Sequence, residues 1–320
     1  MDKNKSIIKY TSDFLDYLEI EKGLASKTQE NYSRFLNKFF NWLESNNYQA
    51  LKPKALTAEH VWKYRVFLSR HVDPRTKKSL KKSTQNYYLI ALRSLLEFFV
   101  EKKIASLSPT SVKLAKDKSD KQIKFLKLDQ LEKLLLAPNI QTTIGLRDRA
   151  ILETLFSTGM RVAELTGLDR DQIKLSKNEK EIEVAIVGKG EKVRTVYFSE
   201  RAVVYLKKYL NKRADMDEAL FINYKPGIEK SGLSRRLTTK SIEDIVKKYV
   251  KIAGLPIMAT PHTLRHSFAT DLLAQGVDLR LVQEFLGHQN IATTQIYTHV
   301  TSKQLRDVHK KLHGGKNLKE

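Results

Sequence analysis

Pro261–Thr270 reads PHTLRHSFAT, Leu286–His288 reads LGH, and Thr293–Val300 reads TTQIYTHV. Within the 36 residues from 262 to 297 the chain sets out His262, Arg265, His288 and Tyr297, in that order. Thr260 followed by Pro261 is a helix start, with threonine as N-cap and proline in the first turn. His262 and Arg265 then stand at i and i+3 on one face, close to a helix N-terminus that adds partial positive charge. Imidazoles and a guanidinium are donors suited to the non-bridging oxygens of a phosphate, and a tyrosine hydroxyl is able to attack phosphorus. With an unperturbed pKa of about 10, the phenol needs stabilised charge or a base to do so at neutral pH. The order invites chemistry on a nucleic-acid phosphodiester. Each residue also has a plainer use. A histidine at a helix start is more often a cap or core residue, and a tyrosine between Ile296 and Val300 is more often a core aromatic. His262 and His266 stand at i, i+4 like a zinc pair, but Thr263 occupies the place of the glutamate in H-E-x-x-H, so zinc ranks well below phosphate.

The composition supports a polyanionic partner. The 320 residues, 41% hydrophobic, suffice for two cores. Lys+Arg is 58 against Asp+Glu 36, a net charge of +22, with a pI near 9.8. Residues 1–117 hold 22 basic and 12 acidic side chains, and the remainder 36 and 24, so both parts are basic. That distribution suits two domains gripping one duplex, although a merely lysine-rich surface would give the same total. With no cysteine, disulfides and Cys-ligated zinc are excluded. There is no apolar run of about 18 residues, and the N-terminus MDKNKSIIKYTSDFLDYLEIEKG carries acids and no apolar core of a signal peptide. A cytoplasmic protein with no membrane partner is expected.

Residues 1–105 read as four helices. Ile8–Ile20 has Ile8, Phe14, Leu15 and Leu18 at helical spacing. Ser26–Gln29 is a capping-box pattern ahead of a stripe from Tyr32 to Leu43. Thr57 caps a third helix, and Ser83 a fourth. Between the last two, Arg75–Lys82 (RTKKSLKK) is a basic loop whose Lys77, Lys78, Lys81 and Lys82 are candidate phosphate contacts or simply solvated. From Ser106 to Gln122 the chain turns polar and reads as an interdomain linker. Beyond it, helices are expected at Leu128–Leu136, Leu146–Ser157 with a break at Gly159, and Met160–Thr166. The alternating runs EIEVAIV and KVRTVYF around Gly188–Glu191 form a hairpin. Helices resume at Glu200–Lys212, Lys240–Ala253, Thr260 to Gly276, Asp278–Leu286 and Ile291–Tyr297, and a helical tail from Ser302 frays at Gly314-Gly315.

Two further cations carry candidate chemistry. Arg161 follows the Gly159 break, and Glu164 lies one turn on. This is either a surface ion pair or a guanidinium oriented to bind two phosphate oxygens. Lys189 sits at the hairpin tip between two glycines, as a solvated turn residue or as a mobile general acid. Lys192 rivals it for that role.

Taken together, TGMRVAELTGL, GKGEKVRTVYF, PHTLRHSFATDLL and LGHQNIATTQIYTHV resemble the motif blocks of the tyrosine recombinase (phage integrase) family, especially its Xer-type members. The resemblance implies a mainly α fold with a small antiparallel β-sheet in a two-domain clamp. It assigns 1–110 to a helical core-binding domain, 111–122 to a linker, 123–301 to the catalytic domain and 302–320 to a segment exchanged between subunits. By motif, Arg161 and Arg265 bind the scissile phosphate, Lys189 is the general acid, His262 and His288 bind phosphate and manage the tyrosine proton, and Tyr297 is the nucleophile. Asp271 stands where Xer-type sequences commonly carry histidine, outside these positions. No cofactor, metal or ATP is implied. The implied partners are double-stranded DNA recombination sites and further subunits, in a homotetramer or a heterotetramer with a paralogue that passes through a Holliday junction. A type IB topoisomerase uses nearly the same residues. A non-cleaving DNA-binding accessory protein is the alternative of another class.

Overall fold

The computed structural model describes residues 4–74, 76–115, 124–175, 180–188, 192–225, 227, 234–256 and 258–287. The chain divides into two compact units, Met1–Asp120 and Lys121–Glu320. The fold is mainly helical with one two-stranded antiparallel sheet among the described residues, as expected from the sequence.

In the first unit, a 3-10 turn at Ile7–Tyr10 leads into α1 (Thr11–Ile20). It is followed by α2 (Ser26–Ser45), α3 (Ala58–Arg70) and α4 (Lys82–Glu101). The 3-10 turn differs from the single helix expected from Ile8, and it turns both Ile7 and Tyr10 into the core. Thr57 caps α3 as anticipated, with His60 completing a reciprocal capping box. The other two caps differ. Ser26 lies inside α2, whose N-cap is Ala25, and Ser83 lies inside α4, whose N-cap is Lys81. A serine already in helical conformation cannot turn back onto the first amides. Instead a glutamine in each first turn reaches back across the helix start. Gln29 Nε2 donates to the Leu24 carbonyl at 2.8 Å and Gln85 Nε2 to the Leu80 carbonyl at 2.9 Å.

The core of this unit is aromatic. Tyr10, Phe14, Phe39, Tyr64, Phe98 and Phe99 are fully buried and meet edge-on or tilted. The basic stretch between α3 and α4 folds back on itself. Val72 bridges Ser79, the Asp73 amide donates to the Lys78 carbonyl at 3.0 Å, and Lys77 takes a positive φ of 54°. Part of the expected linker packs onto the same core. Val112 is buried and Leu107 and Leu114 rest against the cluster, while Asn86 Nδ2 donates to the Ala115 carbonyl and Asn86 Oδ1 accepts from the Ala115 amide, both at 2.9 Å. Three apolar side chains in a polar segment are enough to anchor it.

The second unit contains α5 (Leu128–Leu136), α6 (Thr143–Thr158), α7 (Val162–Gly167), β1 (Ile182–Val187), β2 (Val193–Phe198), α8 (Glu200–Asn211), α9 (Thr239–Ile252), α10 (Pro261–Ala274) and α11 (Leu279–Leu286). Helix α6 is the hub, packing against α5, α8, α9, α10 and β2. Its charged residues are buried too. Arg147 forks onto Asp148 and donates to the Ile222 carbonyl at 2.8 Å, and the Tyr249 hydroxyl donates to the other Asp148 oxygen at 2.9 Å. Arg149 is held by Glu153 at 2.9 Å and by the Leu135 carbonyl. Buried charges survive when paired and hydrogen-bonded in this way. The hub therefore ties α5, α9 and the backbone at Ile222 to α6 through polar contacts. Helix α6 ends at Gly159 in the left-handed conformation (φ 58°), where a Cβ would come within 2.4 Å of the Phe268 ring. The chain thus turns sharply against α10 just before Arg161. Among the described residues no helix is long and apolar enough to cross a membrane.

Candidate active site

Arg161 is the N-cap of α7, in extended backbone. Glu164, three residues on, closes the cap. Its Oε2 accepts from the Arg161 amide at 2.6 Å and its Oε1 from Arg161 Nη1 at 3.0 Å. The bland alternative of a surface ion pair does not fit the burial, because the Glu164 side chain is only 5% exposed while Arg161 keeps 32%. Burial pushes the Glu164 carboxyl up, but Arg194 and the Arg161 amide and side chain outweigh it and hold the group below the usual glutamate range. Glu164 is an ionised anchor, and Arg161 is the partly open cation on it.

Arg265 comes from the second turn of α10. Thr260 caps this helix, accepting from the Thr263 amide at 3.3 Å, with Pro261 at its first position as the sequence indicated. Arg265 is buried and divides its fork. Nη1 donates to the Gly159 carbonyl at 2.7 Å and Nη2 to the Leu286 carbonyl at 2.6 Å. Arg161 Nη2 donates to the next carbonyl, that of Gly287, at 3.3 Å. The structure therefore brings Arg161 and Arg265 to one corner, where the Gly159 turn meets the C-terminal end of α11. Gly287 ends α11 in the left-handed conformation (φ 61°), and its unpaired carbonyls are natural partners for cations.

His262, though on α10 with Arg265, is exposed, and His266 is half-buried. Burial, then the nearby charges of His262 and Arg265, lower the His266 pKa and favour neutral imidazole. Among the described residues no group of three or more His, Cys, Asp or Glu side chains is arranged to hold a metal ion. Lys189, His288 and Tyr297, with the helices expected at Ile291–Tyr297 and from Ser302, lie outside the described residues. The described flanks lead toward two of them. The Gly188 amide donates to the Lys192 carbonyl at 2.8 Å at the root of the hairpin, one residue before Lys189, and Gly287 immediately precedes His288. Lys192 is exposed. Lys77, Lys78, Lys81 and Lys82 belong to the first unit and are all exposed.

Arg194 was not anticipated. It sits on β2 opposite Ile186 and grips Glu164 with both prongs, Nη1 to Oε1 at 2.7 Å and Nη2 to Oε2 at 2.8 Å. Strand alternation carries the clue. Val196 and Phe198 face the core, so Arg194, two residues before Val196, shares their face. A charge on the apolar face of an alternating strand needs a buried partner, and here that partner is Glu164.

Residues 124–304 match the family model described as "Phage integrase family", and residues 12–103 match "Phage integrase, N-terminal SAM-like domain". The chain is 34% identical over 308 residues to a tyrosine recombinase XerD of Lacticaseibacillus casei, covering 94% of this chain and 97% of the relative. It is 36% identical over 313 residues to a tyrosine recombinase XerC of Natranaerobius thermophilus, with coverage of 94% and 97%. Among solved structures, the XerH site-specific recombinase bound to palindromic difH substrate, a post-cleavage complex, matches with a TM-score of 0.70 at 25% identity, over 93% of this chain and 83% of that one. The Tn1549 transposon integrase in complex with transposon right end DNA shares the fold, with a TM-score of 0.68 at 18% identity over 95% and 99% of the two chains.

Proposed function

The chain belongs to the phage integrase family and is a tyrosine site-specific recombinase of Xer type; from that premise we propose that it cuts and rejoins DNA strands through a 3′-phosphotyrosyl intermediate. Tyr297 attacks the scissile phosphorus, its proton passing to the histidine side of the site formed by His262 and His288. The bond to the 5′-oxygen breaks, and Lys189 protonates that oxygen as it leaves. Arg161 and Arg265 meet the charge that grows on the non-bridging oxygens. The observation that carries this reading is the anchoring of both guanidiniums on adjacent carbonyls of one corner. Fixed donors aimed at developing charge need no reorganisation during the reaction and call for neither metal nor ATP. The ester bond to Tyr297 stores the energy of the cut strand, so the 5′-hydroxyl of a partner strand reseals it. Strand exchange then runs in pairs through a Holliday junction, within a tetramer of this chain or with a paralogue, in the cytoplasm at the nucleoid. The N-terminal unit acts as the core-binding domain. With the catalytic unit it grips the duplex, and Lys77, Lys78, Lys81 and Lys82 lie against phosphates.

The test is a plasmid carrying two copies of the recombination site, incubated in excess EDTA. Products with exchanged flanks support the reading. Relaxed but unexchanged plasmid would instead assign a type IB topoisomerase activity, and binding without any strand change would assign a non-cleaving accessory protein.

A further inference from the structure

We infer that Arg194 is a positioning residue for strand cleavage, holding Arg161 against the Gly287 corner by gripping Glu164. The inference rests on the cleavage chemistry proposed above.

Both carboxylate oxygens of Glu164 are shared. Oε1 accepts from Arg161 Nη1 and Arg194 Nη1, and Oε2 from the Arg161 amide and Arg194 Nη2. A carboxylate bound by Arg161 alone would be free to swing with it. The two-pronged grip from β2 fixes its plane, and with it the direction of the Arg161 guanidinium. Arg194 is itself confined, its side chain being 13% exposed. Its Nε is buried and has no hydrogen-bond partner among the described residues, so its whole donor effort goes to Glu164.

The guanidinium also fills the space that two glycines leave. A Cβ at Gly287 would stand 2.8 Å from Arg194 Cδ and 3.1 Å from its Nε. A Cβ at Gly188 would stand 3.3 Å from its Nη1 and 3.5 Å from Glu164 Oε1. These glycines immediately precede His288 and Lys189. Arg194 is therefore confined by the backbone at both glycines while it sets Arg161 through Glu164. A purely stabilising role explains this poorly, because a buried ion pair contributes little net stability compared with an apolar residue of similar size. At this position such a residue would simply extend the face of Val196 and Phe198.

The experiment measures single-turnover formation of the covalent DNA complex by the full-length chain on a nicked suicide substrate, together with DNA affinity and thermal unfolding. The variants are Arg194→Gln, Arg194→Lys, Arg161→Ala, and each Arg194 change combined with Arg161→Ala. Misplacement of Arg161 in Arg194→Gln slows cleavage on the order of 10²-fold, with affinity preserved. Arg194→Lys, which keeps the charge but not the fork, restores only part of the rate. Added to Arg161→Ala, neither change slows cleavage further, because each acts through the guanidinium already removed. A substrate with a 5′-bridging phosphorothiolate, whose sulfur leaves without an acid, does not rescue Arg194→Gln. Full additivity with Arg161→Ala, an unchanged rate or phosphorothiolate rescue would overturn the inference. If Arg194→Gln fails to fold, Arg194→Lys carries the same comparison, and unfolding of both would make Arg194 a stability residue only. Absence of a covalent complex in the wild-type chain would overturn the functional reading itself, whereas a normal wild-type complex with additive variants would overturn the inference alone.

Discussion

The two units of the chain bury different things. Among the described residues, the interior of the first holds apolar and aromatic side chains, with the hydroxyl-bearing Tyr10, Tyr17 and Tyr64 as its most polar members. The second buries Arg147, Asp148, Arg149, Glu153, Arg213 and Arg265 in addition to its apolar cluster. An interior that has only to hold a shape does so most simply with close-packed rings. A unit that must hold cations in fixed places builds carboxylates and carbonyls around them, and those polar groups then belong to its framework.

The sharpest way to break this comparison is to remove one partner from each kind of core. Glu153→Ala strands Arg149 in the interior and should destabilise the second unit by about 3–5 kcal/mol. Phe98→Ala should cost the first unit about 3–5 kcal/mol through a cavity. Thermal unfolding of the full chain, with the units followed separately by hydrogen exchange, checks both. Loss of protection spread equally over both units by either change would show that they do not stand on separate cores.

Next in size is the charge to which the proposed reaction assigns a role. Arg265→Ala should lower the rate of covalent complex formation on the order of 10²–10³-fold, with DNA affinity little changed. A proportionate loss of affinity would place Arg265 in general DNA binding instead of the reaction.

The contrast between the units also governs what the sequence reveals. Helices, hairpin and breaks were legible because glycine, proline and period-two or period-3.6 patterns act locally: Gly159, Thr260-Pro261 and the alternation of β1 and β2 all appear in the structure where they were read. Caps were less so. Ser26 and Ser83 have the character of N-caps, but α2 begins at Ser26 itself and α4 at Lys82, with Ala25 and Lys81 as the caps, a shift of one or two residues that local pattern does not resolve. Arg161 and Arg265 were legible as members of a motif. The carbonyls that hold them were not, because Gly159, Leu286 and Gly287 meet only through the tertiary fold. Arg194 was visible in principle, as a cation on the inward face of a strand, but its partner Glu164 lies 30 residues away.

A smaller effect separates the units by pH and salt. The side chain of Glu164 is buried, and its pKa lies below the ordinary value of 4.5. Its contribution to stability is therefore complete above that value and is lost as pH falls through the lowered folded pKa. Glu59 and Glu101 of the first unit are also lowered, each by a hydrogen-bonded lysine, but they lie on the exposed surface. Salt should erase their part and leave that of Glu164. Acid titrations of wild type and Glu164→Gln at low and high salt test this: the variant should lose the acid-sensitive step that persists in high salt, and a step of equal size in both proteins would refute it.

The smallest effect belongs to the first unit's surface. Lys78→Ala should weaken DNA binding about equally across sequences and reduce the salt slope by about 1. An unchanged slope would leave this lysine a solvated side chain.

The central claim, that the cations of the second unit serve a tyrosine nucleophile, is tested most directly by mapping the covalent bond. The wild-type chain, incubated with a nicked suicide substrate and digested, should yield one DNA-linked peptide, joined through Tyr297 to a 3′-phosphate, and Tyr297→Phe should yield none. A covalent complex that persists in Tyr297→Phe, or a linkage mapped to another residue, would contradict the account.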